Sequence, residues 1–323
     1  MNGKRIRFFT TALNAMAMSG QSIGNNSSGK IQNVVECLAP EVKQVYKVLG
    51  RRSVSPDSCV LQIGLPPGRH LLGWVADIPT CISIYFQGAD AKTGQPKLLS
   101  KSYSPISHPA TPDVFELLVK GYEYRPGGGV GAYLCGLNID DEILAKVKAQ
   151  RQVHGSPVVG KRWKHVGLIA GGTGIAPLFQ ILQILLQNPD DTTQIHVLSI
   201  NRHDHDILMK AELNDMTNKY PNRLRVTFHL TGSCDDDENN GNALQNSQGH
   251  RGSVDLVRKA LPGPELDDVM VFVCGKDGFV SYWGGPVCRG PKPPDGTKGP
   301  KIQGPLLGIL KEAGYCEAQV FKY

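Results

Sequence analysis

The chain has 323 residues, of which 40% are hydrophobic and 20% are charged. This length accommodates two domains of ordinary size, and the composition is typical of a globular protein. Four of the six net positive charges lie within residues 1–35, which contain no acid, and no basic stripe with interleaved aromatic residues follows. The pattern therefore argues against nucleic-acid binding. No apolar run is long enough to predict a membrane-spanning helix.

The first 30 residues are basic, rich in hydroxyl side chains and free of acids. Arg5 and Arg7 precede an apolar stretch that could form an amphipathic helix, which is typical of a mitochondrial targeting segment. A disordered tail on a cytoplasmic protein has a similar composition. If residues 8–18 instead form a helix on a membrane surface, this segment makes a peripheral membrane contact.

Between about residues 45 and 119, short β-branched runs alternate with Pro and Gly. Such runs begin at Cys59, Cys81 and Phe115, and their short spacing predicts a β-barrel or sandwich. Residues 139–148 fit either another barrel strand or a short helix. We therefore predict an N-terminal antiparallel β-barrel domain over residues 31–160.

From His165 onwards, the pattern changes to apolar strands that alternate with helices. This alternation predicts βαβ units on a parallel sheet, so we assign residues 161–323 to a Rossmann-like α/β domain. The last segment, 316–323, is predicted to be an edge or closing strand. Strands are predicted at 166–170, 194–200, 224–230 and 269–274, and helices at 177–186, 207–219 and 254–260.

Two segments and the cysteines stand outside this scheme. Residues 235–248 are acidic and rich in Asn and Gln, which indicates a mobile surface insertion. Residues 284–305 are rich in Pro, Gly and Lys, and predict a long loop that either docks a partner or covers a sheet edge. The eight cysteines show neither CxxC nor zinc-ligand spacing, so we expect reduced, mostly buried thiols and assign no metal ligand.

Three glycine-rich or cationic motifs indicate dinucleotide binding. Residues 171–177 (GGTGIAP) follow a predicted strand and open a helix, so backbone N–H groups can reach a pyrophosphate. Residues 101–105 (KSYSP) combine a cation, hydroxyls and an aromatic ring at a strand end, although a plain turn has the same composition. Residues 126–134 (PGGGVGAYL) again place glycines before a short apolar helix, or form a flexible hairpin loop.

Together and in this order, the motifs resemble those of the ferredoxin–NADP reductase superfamily, and in particular its cytochrome b5 reductase branch. Further similarity lies at Val119–Tyr122, at Asn201–Leu208 and at Cys274–Gly275. The resemblance implies an FAD-binding barrel followed by an NAD(P)H-binding domain. It also implies an enzyme that takes hydride from NADH and passes electrons singly to a haem protein, such as cytochrome b5 or a haem-assembly protein.

The resemblance also implies roles for individual residues. Tyr103 would lie against the flavin ring, while Ser104 and Cys274 would be the catalytic residues, near flavin N5 and the nicotinamide respectively. Thr173 would flank the nicotinamide, and Lys101 together with the amides of Gly127–Gly131 would hold the FAD pyrophosphate. The remaining cofactor-binding positions are Ser102, Leu118, Val119, Lys120, Tyr122, Gly127, Gly128, Gly129, Val130, Gly131, Gly171, Gly172, Gly174, Ile175, Ala176, Pro177, Asn201, Arg202, Asp206, Gly275 and Phe279.

Several departures from the family pattern leave alternatives open. Lys101 replaces an arginine, Gly131 a serine and Ala176 a threonine, and residues 276–279 (KDGF) replace the customary prolines. These changes suggest a divergent, mitochondrial-type subgroup, or a non-catalytic paralogue that senses redox state. Asp206 would repel the 2′-phosphate of NADPH.

Two further alternatives concern the nucleotide and the terminal residue. Arg202 could bind the 2′-phosphate of NADPH, as expected of an NADPH-dependent quinone or ferric reductase. The terminal aromatic, Tyr323, would either stack on the flavin or form a solvated end.

Overall fold

The computed structural model describes residues 42–323 except 74, 76–77, 159, 233–251, 293 and 295–298. The predicted targeting segment over residues 1–30 and the predicted insertion over residues 235–248 lie outside the described residues. In the part that is described, no helix is long and apolar enough to cross a membrane.

The N-terminal domain is a six-stranded antiparallel sheet that curves into a half-barrel. Its strand order is β4-β3-β6-β1-β2-β5, so β4 and β5 form its two edges. Residues 142–147, for which a strand or a helix was predicted, are strand β6. The strands are β1 (Gln44–Ser55), β2 (Ser58–Gly64), β3 (Ile82–Ala89), β4 (Pro96–Tyr103), β5 (Val114–Lys120) and β6 (Glu142–Val147).

The half-barrel encloses its own apolar core. Tyr46 and Phe115 are fully buried and meet edge to face, with ring centroids 5.9 Å apart. Helix α1 (Val130–Cys135) contributes Val130 and Leu134 to the same core. A short hairpin of β7 (Gln152–Val153) and β8 (Ser156–Pro157) leads into the next domain.

The C-terminal domain is a five-stranded parallel sheet with the order β11-β10-β9-β12-β15. Helices α2 and α3 share one core with it, and α4, α5 and α6 share another on the opposite face. The strands are β9 (His165–Gly171), β10 (Gln194–Asn201), β11 (Leu224–Leu230), β12 (Val269–Cys274) and β15 (Val320–Lys322). The helices are α2 (Ile175–Gln187), α3 (Lys210–Lys219), α4 (Val254–Ala260), α5 (Asp277–Gly284) and α6 (Ile309–Glu312).

The predicted fold class, a β-barrel domain followed by a Rossmann-like domain, is confirmed. The predicted helix over 207–219 was wrong at its start. Ile207, Leu208 and Met209 are buried ahead of α3, and Met209 takes a left-handed conformation with φ 61°. Apolar packing of these three residues therefore delays the helix to Lys210.

The prediction of a loop over residues 284–305 also missed regular structure. It contains an antiparallel hairpin of β13 (Val287–Arg289) and β14 (Lys301–Gln303). The terminal strand is shorter than predicted, because residues 317–319 form a 3-10 turn before β15 pairs in parallel with β12.

Helix α2 ties the two domains together. Its residues 175–186 are all buried, including two glutamines. The side-chain oxygen of Gln180 accepts a hydrogen bond from the Thr80 N–H at 2.8 Å, and Gln183 donates to the Ile106 carbonyl. These bonds satisfy polar groups that would otherwise be costly to bury, so they fix the half-barrel against the parallel sheet.

Candidate active site

A cleft of about 310 Å³ opens at the carboxyl ends of the parallel strands, beside strand β5 of the half-barrel. Ligands of open α/β sheets bind at this edge because loops and helix N-termini converge there. The predicted residues that line the cleft are Lys120, Tyr122, Gly171, Gly172, Thr173, Asn201, Arg202, Asp206 and Phe279.

The glycine turn after β9 forms the floor of this cleft. Gly172 has φ +54°, and a Cβ there would meet no atom within 4 Å, so its backbone faces open space. At Gly174, a Cβ would lie 2.2 Å from the carbonyl oxygen of Cys274. Gly174 therefore lets the turn approach the end of β12, while Gly172 leaves room for a ligand.

Charged side chains at the mouth of the cleft come from both domains. The Lys120 ammonium lies 2.9 Å from Asp57 and 3.9 Å from Asp206. Partial burial opposes ionisation of Asp57, but hydrogen bonds from Lys120, Ser55 and Ser58 outweigh it and lower its pKa. Asp57 thus holds Lys120 in the cleft, close to the carboxylate that would exclude a 2′-phosphate.

A second group of predicted residues lies at the end of β4. The Lys101 ammonium lies 5.3 Å from the ring centroid of Tyr103. Ser102 accepts a hydrogen bond from Lys148 at 3.3 Å. The Tyr103 hydroxyl is buried without a hydrogen-bond partner, and burial raises its pKa. An unpaired buried hydroxyl calls for a bound acceptor, which a ribityl or phosphate oxygen would supply.

The glycine loop before α1 provides fewer free amides than predicted. Gly127 and Gly128 donate their N–H groups to the carbonyls of Ala89 and Arg125. Contrary to the prediction, these two amides are therefore not available to bind an anion. Gly129, Val130 and Gly131 lie at the helix start, where N–H groups lack intrahelical partners.

Gly131 replaces the serine that is usual in the family pattern. A Cβ there would lie 2.4 Å from the Lys120 carbonyl oxygen. The glycine therefore allows α1 to pack closely against the end of β5.

Five predicted cofactor-binding residues direct their side chains into the protein core. Their side chains are therefore unavailable to a ligand, and only their backbones remain as candidates. On strand β5, one side chain packs into the core shared with α2 and the next into the core of the half-barrel. Helix α2 is buried along almost its whole length. These residues are Leu118, Val119, Ile175, Ala176 and Pro177.

The predicted catalytic residues Ser104 and Cys274 belong to different domains, and their neighbours include Cys81 and Tyr323 respectively. Cys81 lies within hydrogen-bonding reach of Ser104, and both Cys81 and Cys274 are close enough to raise the pKa of Tyr323, which burial raises most. Burial raises the pKa of the Cys274 thiol to about 12, so it is protonated at neutral pH.

The chain's last residue does not form a solvated end. Tyr323 donates its N–H to the Val273 carbonyl at 2.9 Å. The Arg151 guanidinium lies 4.3 Å from the centroid of its ring. The prediction of a solvated end was therefore wrong.

The described thiols are free, as expected, but most of them are only half-buried. Among the six described cysteines, Cys59 is buried, Cys316 is exposed and the others are half-buried. Cys59 and Cys135 lie 3.5 Å apart without a disulfide. Within the described ranges, no group of three or more His, Cys, Asp or Glu side chains could hold a metal ion.

Sequence reasoning missed seven cleft residues, namely Ile200, Leu208, Thr231, Lys276, Gly278, Tyr282 and Trp283. Thr231 follows β11, and the rule that ligands bind at the carboxyl ends of parallel strands would have identified it. Tyr282 and Trp283 share a helix face with Phe279, three and four residues away. The Trp283 indole N–H is buried and has no partner.

Two family models match the chain. The oxidoreductase FAD-binding domain matches residues 46–149, and the oxidoreductase NAD-binding domain matches residues 168–283. The half-barrel is thus the flavin domain and the parallel sheet the nucleotide domain. The chain thus combines an oxidoreductase FAD-binding domain with an oxidoreductase NAD-binding domain.

Curated relatives carry the name NADH-cytochrome b5 reductase 2. The Neurospora crassa protein is 32% identical over 248 residues, which are 76% of this chain and 63% of that protein. The Saccharomyces cerevisiae protein is 32% identical over 230 residues, 69% of this chain and 66% of that protein. The matched part of the chain therefore spans slightly less than two thirds of the length of these relatives.

Solved structures share the fold. The cytochrome b5 reductase domain of Ulva prolifera nitrate reductase superposes with a TM-score of 0.61 at 22% identity, over 75% of this chain and 90% of that one. The CS-b5R domains of human Ncb5or give a TM-score of 0.62 at 17% identity, over 88% and 70%.

The residues at the end of β4 fit FAD. The unpartnered Tyr103 hydroxyl can donate to a cofactor oxygen, and the Lys101 ammonium can neutralise a phosphate. Strand β5 is an edge strand whose Glu116 backbone is already hydrogen-bonded to Ile106 and Ser107 on the outer side, so Lys101 and Tyr103 are the groups left to meet a cofactor. Together these groups suit a ligand such as FAD, which carries an anionic pyrophosphate and polar hydroxyl and ring atoms.

Proposed function

We propose that this protein is an FAD-dependent reductase that oxidises NADH and delivers electrons singly to a haem protein such as cytochrome b5. The observation that carries the proposal is the cleft in which Lys120 of the flavin domain faces Thr173 and Asp206 of the nucleotide domain, with the Lys120 ammonium 3.9 Å from Asp206. The names of the curated relatives support the same activity.

The protein's own residues bind and orient in this scheme. FAD, when bound, supplies the hydride acceptor and the one-electron donor. Ser104 is close to the reacting end of the site, and the protonated Cys274 thiol presents an uncharged surface there. Lys120 and the Gly172 backbone hold the nucleotide phosphates. Tyr323 and Arg151 cover the site from the C-terminal side.

Asp206 supports NADH as the hydride donor. Its carboxylate lines the cleft and would repel the 2′-phosphate of NADPH. Arg202 lines the same cleft and favours the second candidate, an NADPH-dependent reductase. The Asp206 carboxylate lies 3.9 Å from Lys120, which lines the same cleft, so it is directed towards the nucleotide site. We therefore favour NADH.

The acceptor proposal is tested by steady-state reduction of purified cytochrome b5. The protein, supplied with FAD, should accelerate cytochrome b5 reduction by NADH and do so more efficiently than with NADPH. Equal or better use of NADPH would assign the site to Arg202. Flavin reduction without any transfer to cytochrome b5 would contradict this acceptor.

We also propose mitochondrial targeting through residues 1–30. The support is their basic, acid-free composition. A fluorescent reporter fused behind residues 1–41 should enter mitochondria, whereas the same fusion with Arg5 and Arg7 replaced by Glu should not. A diffuse signal from the unchanged fusion would contradict targeting, and a signal on other membranes would favour peripheral membrane contact.

A further inference from the structure

Two lysines from different domains converge on one aromatic ring. The Lys276 ammonium, at the start of α5, lies 5.2 Å from the ring centroid of Tyr122. The Lys101 ammonium, at the end of β4, lies 5.7 Å from the same centroid. Each ammonium is therefore within cation–π range of Tyr122.

The two ammonium groups lack acidic partners. Among the residues that the structure describes, no carboxylate lies within salt-bridge distance of Lys101 or Lys276. Burial, followed by repulsion from Lys276, lowers the pKa of Lys101. The two cations repel each other, and no described carboxylate neutralises them. The electrostatic potential beside the Tyr122 ring is therefore strongly positive.

An independent observation concerns Tyr103, the second aromatic ring that Lys101 contacts. The Lys101 ammonium also lies 5.3 Å from the Tyr103 ring, and Tyr103 is 9% exposed with its hydroxyl unpartnered. Tyr122 is close enough to raise the pKa of Tyr103, after burial. Within the described residues, the neighbourhood of Lys101 therefore contains an unsatisfied polar group as well as an unpaired cation.

We propose that Lys276 binds a dinucleotide phosphate together with Lys101, so that one phosphate group is held by both domains. The proposal rests on the proposed function, since the phosphate belongs to FAD or to the nicotinamide dinucleotide. It gives a role to a lysine at a position where the family pattern described above has proline. It also explains how the protein binds a phosphate with Lys101, a point charge, in place of an arginine that could donate two hydrogen bonds: Lys276 supplies a second positive charge.

The test measures binding rather than turnover. Lys276→Met removes the charge and keeps the aliphatic stem, and the backbone there (φ −64°, ψ 153°) accepts the change without strain. Lys259→Met, on the exposed side of α4, is the matched control. FAD affinity is measured from the fluorescence of released flavin, and NAD+ affinity by calorimetry on the FAD-loaded protein.

We expect Lys276→Met to weaken one of the two affinities on the order of tenfold, as for loss of a charged hydrogen bond. Lys276→Arg should restore it, and Lys259→Met should have no effect. A loss of FAD affinity assigns the phosphate to FAD, and a loss of NAD+ affinity alone assigns it to the nicotinamide dinucleotide.

Two results would overturn the proposal. One is that Lys276→Met, like Lys259→Met, leaves both affinities unchanged. The other is that Lys101→Met and Lys276→Met weaken different ligands, because the lysines would then bind different phosphates. Failure of the proposed function is distinguishable from both, since it would appear in the unsubstituted protein as an inability to bind FAD at all.

Discussion

The protein contains two glycine-rich turns that look alike in sequence and differ in what surrounds them. In the flavin domain, a Cβ on Gly129 would collide with the Tyr124 ring, and one on Gly131 with the Lys120 carbonyl. In the nucleotide domain, Gly174 also fits against backbone, but Gly172 faces open space. The first turn therefore uses its glycines mainly for packing within the chain, and the second divides them between packing and ligand access.

The largest effect that the comparison predicts is at Gly174. Gly174→Ala places a Cβ 2.2 Å from the Cys274 carbonyl oxygen, and should lower the free energy of unfolding by about 3 kcal/mol and abolish NAD+ binding. Chemical denaturation and calorimetry measure the two effects. Gly172→Ala is the comparison variant: it should lower the free energy of unfolding by only about 1 kcal/mol, for its left-handed backbone, and weaken NAD+ binding because its Cβ enters the space left for the ligand. Equal losses of unfolding free energy in the two variants would contradict the proposed difference between the two glycines.

The same comparison predicts that restoring the usual serine in the flavin-domain turn is harmful. Gly131→Ser would put a Cβ 2.4 Å from the Lys120 carbonyl oxygen. The variant should lose about 2 kcal/mol of stability and bind FAD more weakly, because α1 must move away from β5. Thermal unfolding and flavin release measure this. Tighter FAD binding would show that the turn is adapted to a phosphate-binding serine after all.

Sequence reasoning anticipated the elements but not these contacts. The strand–turn–helix order around residues 166–187 follows from local apolar pattern and turn chemistry, and the boundaries of α4 and β12 were predicted to the residue. Lys276 could not be assigned, because its proximity to Tyr122 depends on how the two domains pack. The burial of the Leu118 and Ala176 side chains could not be predicted for the same reason: a motif shows which backbone approaches a cofactor, and tertiary packing decides where each side chain points.

A smaller effect should separate the charges in the cleft. Asp206→Ser removes the carboxylate that faces Lys120 at 3.9 Å, and should shift the NADPH-to-NADH ratio of kcat/KM on the order of tenfold towards NADPH. Asp204→Ser, in the same 3-10 turn but paired with Lys210 at 2.6 Å, is the matched control. An unchanged ratio in the Asp206 variant would remove that residue from nucleotide selection.

The smallest effect concerns the residue that orients Lys120. Asp57→Asn removes an ion pair of 2.9 Å between half-exposed groups, so the KM for NADH should rise only about twofold with kcat unchanged. Salt should reduce the difference between variant and unsubstituted protein. A change of tenfold or more would mean that Asp57 contributes directly to nucleotide binding.

The central claim is that the two domains bring FAD and NADH together in one site. The most direct test is an anaerobic visible spectrum of the purified protein, before and after one equivalent of NADH. The account predicts a yellow protein that is bleached by NADH, and more slowly by NADPH. A protein that remains colourless after FAD is added, or a bound flavin that neither nucleotide can bleach, would contradict it.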